Sequence, residues 1–379
     1  MSDWTNVIQA ATIHDPLSGA VNTPIQLSST FNQTDFDHFG HFDYARSGNP
    51  TRESGEKAVA ALEHGKYGYL FSTGMAAISS VLFTLSAGDD IVVSKHVYGG
   101  TFRILSDILP RWGITHTLVD FGDLDAVKAA IKPETKALYI ETPSNPVLKI
   151  TDIRAIVAIA KDNDLITIAD NTFLSPFLQN PLDLGVDIVV HSATKFLAGH
   201  SDILAGAVVT NNSDLADKIY FIQNAVGATL GVLDTWLLLR GIKTLGVRMT
   251  QSSQSAQKIA QYLEGHDKVA RVLYPGLATH EGYTIHQSQS KSGGAVLSFD
   301  VGSADNAKVV VEALTIPIFS VSLGAVETII SYPPKMSHAE LNVEELKDTG
   351  ITPGLLRFSV GLEDVNDLIA DLEQALALI

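Results

Sequence analysis

The chain of 379 residues contains no cysteine. That absence excludes disulfides, cysteine-ligated zinc and a thiolate nucleophile. Positive charge is also scarce: 26 Lys and Arg stand against 42 Asp and Glu, a net charge of -16. So acidic a chain is not built to lie along nucleic acid or an anionic membrane face. An anionic cofactor stays open, because helix ends and local cations override the global sign. No apolar run approaches the length of a membrane span. Met1 to Ala11 has no basic start and no long apolar stretch, so no signal peptide is expected and the cytoplasm is the default. His38 and His41, among Asp35, Asp37 and Asp43, resemble a metal cluster. Two histidines three apart occur readily by chance, and no metal is expected.

What is present is an ordinary globular composition, 45% hydrophobic and 18% charged, long enough for two or three domains. Residues 1–57 hold few periodic apolar runs and are broken by Pro16, Gly19, Pro24, Gly40, Gly48 and Pro50. This reads as an extended arm that packs on something else, such as another subunit. From 58 to 235, strand-like runs alternate with amphipathic segments. The strands expected are 68–71, 90–94, 116–119, 137–141, 166–169, 187–191 and 205–210, with helices such as 76–85, 124–131 and 153–162 between them. That rhythm predicts a mostly parallel seven-stranded α/β sheet covered by helices on both faces. Residues 236–379 read as a smaller α/β domain, with helices over 235–245 and 252–263, a strand over 295–301 and a terminal helix over 364–378.

Polar clusters gather where the apolar runs stop. The run 187–191 leads through Ser192 and Thr194 to Lys195. Ligands in α/β sheets sit at the carboxyl ends of strands, where a desolvated lysine can form an imine. Ser72-Thr73-Gly74-Met75 opens a helix, and a helix N-terminus favours an anion. It is neither a P-loop nor a G-x-G-x-x-G fingerprint. Tyr98, followed by Gly99 and Gly100, is placed to lie flat on an aromatic ligand or to pack in a core. Asp170 ends an apolar strand, where it needs a cation: a protonated pyridine nitrogen is one reading, a capping role the other. Asn145 stands between Ser144 and Pro146, as a turn residue or a ligand. Arg357 interrupts the strand-like run 356–360 and needs a carboxylate partner. Tyr44 and Arg46 suit phosphate, Arg through its planar fork.

Taken together these clusters resemble one family, the Cys/Met-metabolism pyridoxal-phosphate enzymes. The likeness rests on Tyr-x-Arg-Ser-Gly-Asn-Pro-Thr-Arg at 44–52, Ser-Thr-Gly-Met-Ala-Ala at 72–77 and Val-Tyr-Gly-Gly-Thr-Phe at 97–102. It extends through Glu-Thr-Pro-Ser-Asn-Pro at 141–146, Asp-Asn-Thr-Phe at 170–173, Ser-Ala-Thr-Lys at 192–195, Gly-His-Ser-Asp at 199–202 and Arg-Phe-Ser-Val-Gly-Leu-Glu-Asp at 357–364. It covers nearly the whole chain.

The resemblance implies the aspartate-aminotransferase-like fold, type I, and pyridoxal 5'-phosphate as cofactor. By it, Lys195 holds the cofactor through an imine, and Gly74, Met75, Ser192 and Thr194 cradle its phosphate. Tyr44 and Arg46 complete that cradle in a neighbouring subunit. Tyr98 stacks on the ring and helps protonate the leaving sulfur, Asp170 pairs with the ring nitrogen, and Thr172 supports the ring. Arg357, Asn145 and Ser322 hold the substrate α-carboxylate. A homotetramer built of dimers with shared sites is implied.

The implied activity is cleavage of a carbon–sulfur bond in a sulfur amino acid. Val321 stands where the family's γ-lyases and γ-synthases carry Glu, and Gly100 where methionine γ-lyases carry Cys. Asp43, beside Tyr44, is a candidate for the distal ammonium of cystathionine. The expectation is a cystathionine lyase with α,γ-elimination slightly ahead of β-elimination; methionine γ-lyase and cystathionine γ-synthase are the further alternatives. A non-catalytic pyridoxal-phosphate-binding regulator would be expected to carry a basic DNA-binding domain, and no basic or helix-turn-helix-like domain precedes residue 58.

Overall fold

The computed structural model describes residues 2–339 and 342–379. Seven strands form the large sheet: β1 (Tyr67–Phe71), β2 (Asp90–Ser94), β3 (Thr115–Val119), β4 (Thr135–Glu141), β5 (Ile166–Asp170), β6 (Ile188–His191) and β7 (Gly206–Thr210). Their order is β1-β7-β6-β5-β4-β2-β3. Strands β3, β2, β4, β5 and β6 run parallel, and β7 runs antiparallel to both β6 and β1. All seven expected strands are present, each within two residues of its expected limits.

The burial pattern explains why these strands read as unbroken apolar runs. On β2, Val92 packs into one helical layer while Ile91 and Val93 pack into the other. On β4, Leu138 and Ile140 face the first layer, Ala137 and Tyr139 the second. Period-2 alternation therefore separates two apolar faces rather than a wet face and a dry one.

A smaller sheet follows: β8 (Arg271–Leu273), β9 (Val296–Asp300), β10 (Ile318–Phe319), β11 (Ile329–Ser331) and β12 (Leu355–Ser359), in the order β10-β11-β12-β9-β8. β9 and, around Arg357, β12 are legible in the sequence as strands; the others are short. Leu356 and Phe358 of β12 join Leu297 and Phe299 of β9 in a core closed by the helices Leu245–Glu264 and Val365–Leu376. Alternation then turns Arg357 to the opposite face, where its register partners are Ser331 and Ser298. Ser298 Oγ donates to the Pro146 carbonyl at 2.7 Å, so this polar stripe meets the loop that follows β4.

The limits expected at 57 and 235 fall inside helices, Pro50–Leu62 and Val232–Ile242. The first helix begins where it does because the Asn49 side chain caps Thr51 and Arg52 N–H, with Pro50 at the first helical position. The arm also carries a helix, Asp3–Ala10, whose Val7 is buried in the main core. No helix among the described residues is long and apolar enough to cross a membrane.

Candidate active site

A cavity of about 510 Å³ opens between the carboxyl ends of the large sheet and the polar face of the small one. Five strand ends or their loops meet there, with the middle of a sixth strand. β1 delivers Thr73, Gly74 and Met75; β2 delivers Tyr98; β4 ends in Glu141 and leads to Asn145; β5 ends in Asp170; β6 leads to Ser192, Thr194 and Lys195; β12 contributes Arg357. Val321, Ser322 and Ser331 complete the wall.

Lys195 is largely buried, and its Nζ donates to Ser322 Oγ at 2.6 Å. Burial first, and the Arg357 charge second, pull its amine down to about 8. Far more of it is then free base near neutral pH than for an ordinary lysine. Ser322 holds φ +80°, a left-handed conformation rare outside glycine, while its hydroxyl meets the lysine.

Asp170 is buried, and burial is the main effect, raising its carboxyl; the Thr172 hydrogen bonds and the charge of His191 pull the other way. Its Oδ1 accepts from Thr172 N at 3.0 Å and Thr172 Oγ1 at 2.5 Å. Thr172 Oγ1 in turn accepts from Ser192 N at 2.9 Å. Thr172 therefore ties the acid on β5 to the loop that carries Lys195, a more specific task than general support of a ring.

The helix Gly74–Leu82 starts at Thr73, whose hydroxyl caps Ala76 N–H at 2.9 Å. The N–H groups of Gly74 and Met75 have no acceptor within the helix and line the cavity. A Cβ on Gly74 would lie 2.8 Å from both Cβ and Oγ of Ser192, so only glycine lets this helix end approach the β6 loop. Gly100 acts similarly: a Cβ there would come within 2.6 Å of the Tyr98 ring and 2.7 Å of Met75 Sδ. The Thr194 hydroxyl is engaged with the Ala205 backbone, accepting from its N–H at 2.9 Å.

Arg357 is fully buried, and burial pulls it down to about 10, so it remains a cation at neutral pH. Nη1 donates to Asn145 Oδ1 at 2.7 Å; Nη2 donates to the Ser322 carbonyl at 2.5 Å and Ser331 Oγ at 3.0 Å. Its buried Nε has no hydrogen-bond partner among the described residues. An unmatched N–H of a buried cation, lining a cavity, fits a ligand carboxylate.

These features fit pyridoxal phosphate. There is an amine of lowered basicity, a helix-end cradle for a phosphate, a buried acid for a ring nitrogen and a cation left with a free donor. Twelve of the fifteen candidate residues line this one cavity; Asp43, Tyr44 and Arg46 stand apart from it, the last two having been expected in a neighbouring subunit's site. Arg46 Nε donates to Asn224 Oδ1 at 3.1 Å, and its guanidinium lies 5.2 Å from the Tyr44 ring centroid. Buried Arg52 fixes their loop, donating to the carbonyls of Ala45 at 2.6 Å and Arg46 at 3.0 Å. His38 pairs with Asp35 at 2.9 Å, and among the described residues no three His, Asp or Glu side chains converge as a metal site.

The cavity holds a second acid, Glu141, to which the sequence reading gave no role. Glu141 lies inside a quoted motif, and an acid closing a buried strand is the same signal that singled out Asp170.

The family model described as Cys/Met metabolism PLP-dependent enzyme matches residues 4–377. The chain belongs to that family. It is 53% identical over 379 residues to cystathionine beta-lyase MetC of Bacillus subtilis, covering 99% of this chain and 97% of that protein. It is 46% identical over 376 residues to the cystathionine gamma-lyase of the same organism, covering 99% of each. Among solved structures, cystathionine gamma-lyase from Lactobacillus plantarum complexed with L-serine superposes with a TM-score of 0.97 at 45% identity, over 100% of this chain and 99% of that one. The fold is therefore type I, the cofactor is pyridoxal phosphate, and the chain is a lyase of the cystathionine-lyase type.

Proposed function

We propose that this enzyme cleaves L-cystathionine by β-elimination, releasing homocysteine, pyruvate and ammonia with uptake of one water. Full-length similarity at 53% to a cystathionine beta-lyase carries this reading. It moves the balance from the α,γ route that the motifs alone put slightly ahead. The lining agrees: β-elimination needs one proton taken from Cα, and Lys195 supplies one amine base of suitable strength.

When bound, the cofactor acts as an electron sink for the bond broken at Cα. The chain does the rest. Arg357 and Asn145 hold the α-carboxylate, Arg357 through the donor left open at Nε. Lys195 Nζ takes the Cα proton, with Ser322 Oγ orienting the nitrogen. Asp170, fixed by Thr172, keeps a proton on the ring nitrogen of the cofactor. Tyr98 stands over the cavity, where its hydroxyl can pass a proton to the departing sulfur. Val321, exposed on the cavity wall, meets the distal arm of the substrate with an apolar surface.

The second reading is γ-elimination to cysteine, 2-oxobutanoate and ammonia, favoured by the 46% identity to the Bacillus subtilis cystathionine gamma-lyase. Incubation with L-cystathionine and identification of the keto acid separates the two. Pyruvate in excess supports the proposal, and 2-oxobutanoate in excess overturns it.

Active sites shared between two copies, within a tetramer, are part of the same reading. The arm leaves Leu17, Leu27, Phe36 and Phe39 exposed, with Tyr44 and Arg46 outside their own cavity. Mixing inactive Lys195→Ala and Arg46→Ala subunits after partial denaturation should restore measurable turnover, because some mixed pairs hold one intact site. No recovery from exchanged subunits would place Arg46 outside the neighbour's site.

A further inference from the structure

Glu141 is a buried carboxyl on the cavity wall for which the reaction above has no use. It closes β4 and stands opposite Asp170 in the register of β4 with β5. Its two oxygens face two different loops. Oε2 accepts from Tyr98 N at 2.7 Å, in the loop after β2. Oε1 accepts from Asn145 N at 3.3 Å, in the turn after β4. Those two residues reach the cavity with unrelated tasks, one over the ring and one at the substrate carboxylate.

We propose that Glu141 is a positioning residue that clamps the Tyr98 loop to the Asn145 turn and so fixes the two side chains relative to each other. The inference rests on the roles given above to Tyr98 and Asn145, not on which carbon–sulfur bond is cut. The clamp is one link of a longer circuit. Asn145 Oδ1 accepts from Arg357, Arg357 donates to the Ser322 carbonyl, and Ser322 Oγ meets Lys195 Nζ. Glu141 thus closes a chain of hydrogen bonds that runs from Tyr98 around the cavity to the amine base.

The task calls for two acceptor oxygens. Burial chiefly, and the Asp170 charge next, push the Glu141 carboxyl well above the usual range, whereas the two N–H bonds pull it down. An acceptor pair is therefore what the position supplies, and glutamine keeps the stronger half of it.

The test uses the holoenzyme and L-alanine, which carries the α-amino and α-carboxylate groups but no leaving group. Its affinity is read from the change in the visible spectrum of the bound cofactor, and kcat is measured separately. Glu141→Ala should weaken L-alanine binding and lower kcat, each by roughly tenfold, the scale of one hydrogen bond's net contribution. Glu141→Gln keeps an acceptor for Tyr98 N but turns an NH2 toward Asn145 N–H, so both values should fall between wild type and Glu141→Ala. In an Asn145→Ala background, Glu141→Ala should weaken L-alanine little further, because both changes act on one contact. If the alanine variant does not accumulate as folded holoenzyme, Glu141→Met, of similar length and without oxygen, is read in the same way.

Two results overturn the proposal. One is a folded Glu141→Ala or Glu141→Met enzyme with lowered thermal stability but unchanged L-alanine affinity and kcat, which is a merely structural residue. The other is Glu141→Gln as impaired as Glu141→Ala, which would show that the bond to Tyr98 N, which glutamine keeps, fixes nothing. Failure of the β-elimination reading would show in the keto acid and leave the L-alanine measurement intact.

Discussion

Lys195→Ala should abolish turnover, with release of keto acid from L-cystathionine reduced at least about 10⁴-fold. Loss of a positioned general base alone costs about 10²- to 10⁴-fold. Lys195 also provides the nitrogen that anchors the cofactor, and the two losses act on one reaction path. The protein should nevertheless fold. The free amine sits against one hydroxyl, Ser322 Oγ, and burial with a neighbouring cation lowers its basicity to about 8. That lowering means the charged amine is held at a cost, so its removal leaves no stranded opposite charge. Far-ultraviolet circular dichroism and thermal midpoint should therefore match wild type, while the visible band of the anchored cofactor disappears. Residual turnover above about 1% of wild type, with that band gone, would assign the proton transfer to another group.

The same lysine shows why much of this site was legible in the sequence. An apolar run that stops at a charge is a strand end, and Asp170 and Lys195 announce themselves that way. Arg357 is the same signal in reverse, a cation inside a buried strand, turned by alternation toward the cavity. What stayed hidden depends on distance along the chain. Glu141 takes its meaning from N–H groups of Tyr98, 43 positions away, and of Asn145, and no periodicity encodes such a pairing. Thr172 is tied to Asp170 by its hydroxyl, which spacing alone does not separate from an ordinary turn. The density of proline and glycine before residue 50 shows an arm, but not the helix Asp3–Ala10 folded back on the core through Val7. Nor does it show that Arg52, one of the motif's two arginines, is buried to hold the loop of the other.

Arg357→Ala should lower kcat/KM for L-cystathionine by about 10²-fold, most of it in KM. The one donor left unmatched, Nε, makes a hydrogen bond to a charged group, which contributes about 1.5–3 kcal/mol. Losing it is about two decades in rate. Binding to a carboxylate is made in the ground state and kept in the transition state, so the loss falls first on KM. A smaller loss in kcat should accompany it. Arg357 also holds the Asn145 side chain and the Ser322 carbonyl, and Ser322 Oγ orients Lys195 Nζ. Arg357→Lys separates the two effects. It keeps a cation of the right sign but loses the planar fork, so it should recover part of the affinity and little of the orientation. L-alanine titration of the bound cofactor gives the affinity, and saturating L-cystathionine gives kcat. An Arg357→Ala enzyme that lost less than tenfold in kcat/KM would show that the unmatched Nε serves the fold and not the substrate, since one such hydrogen bond alone exceeds that loss.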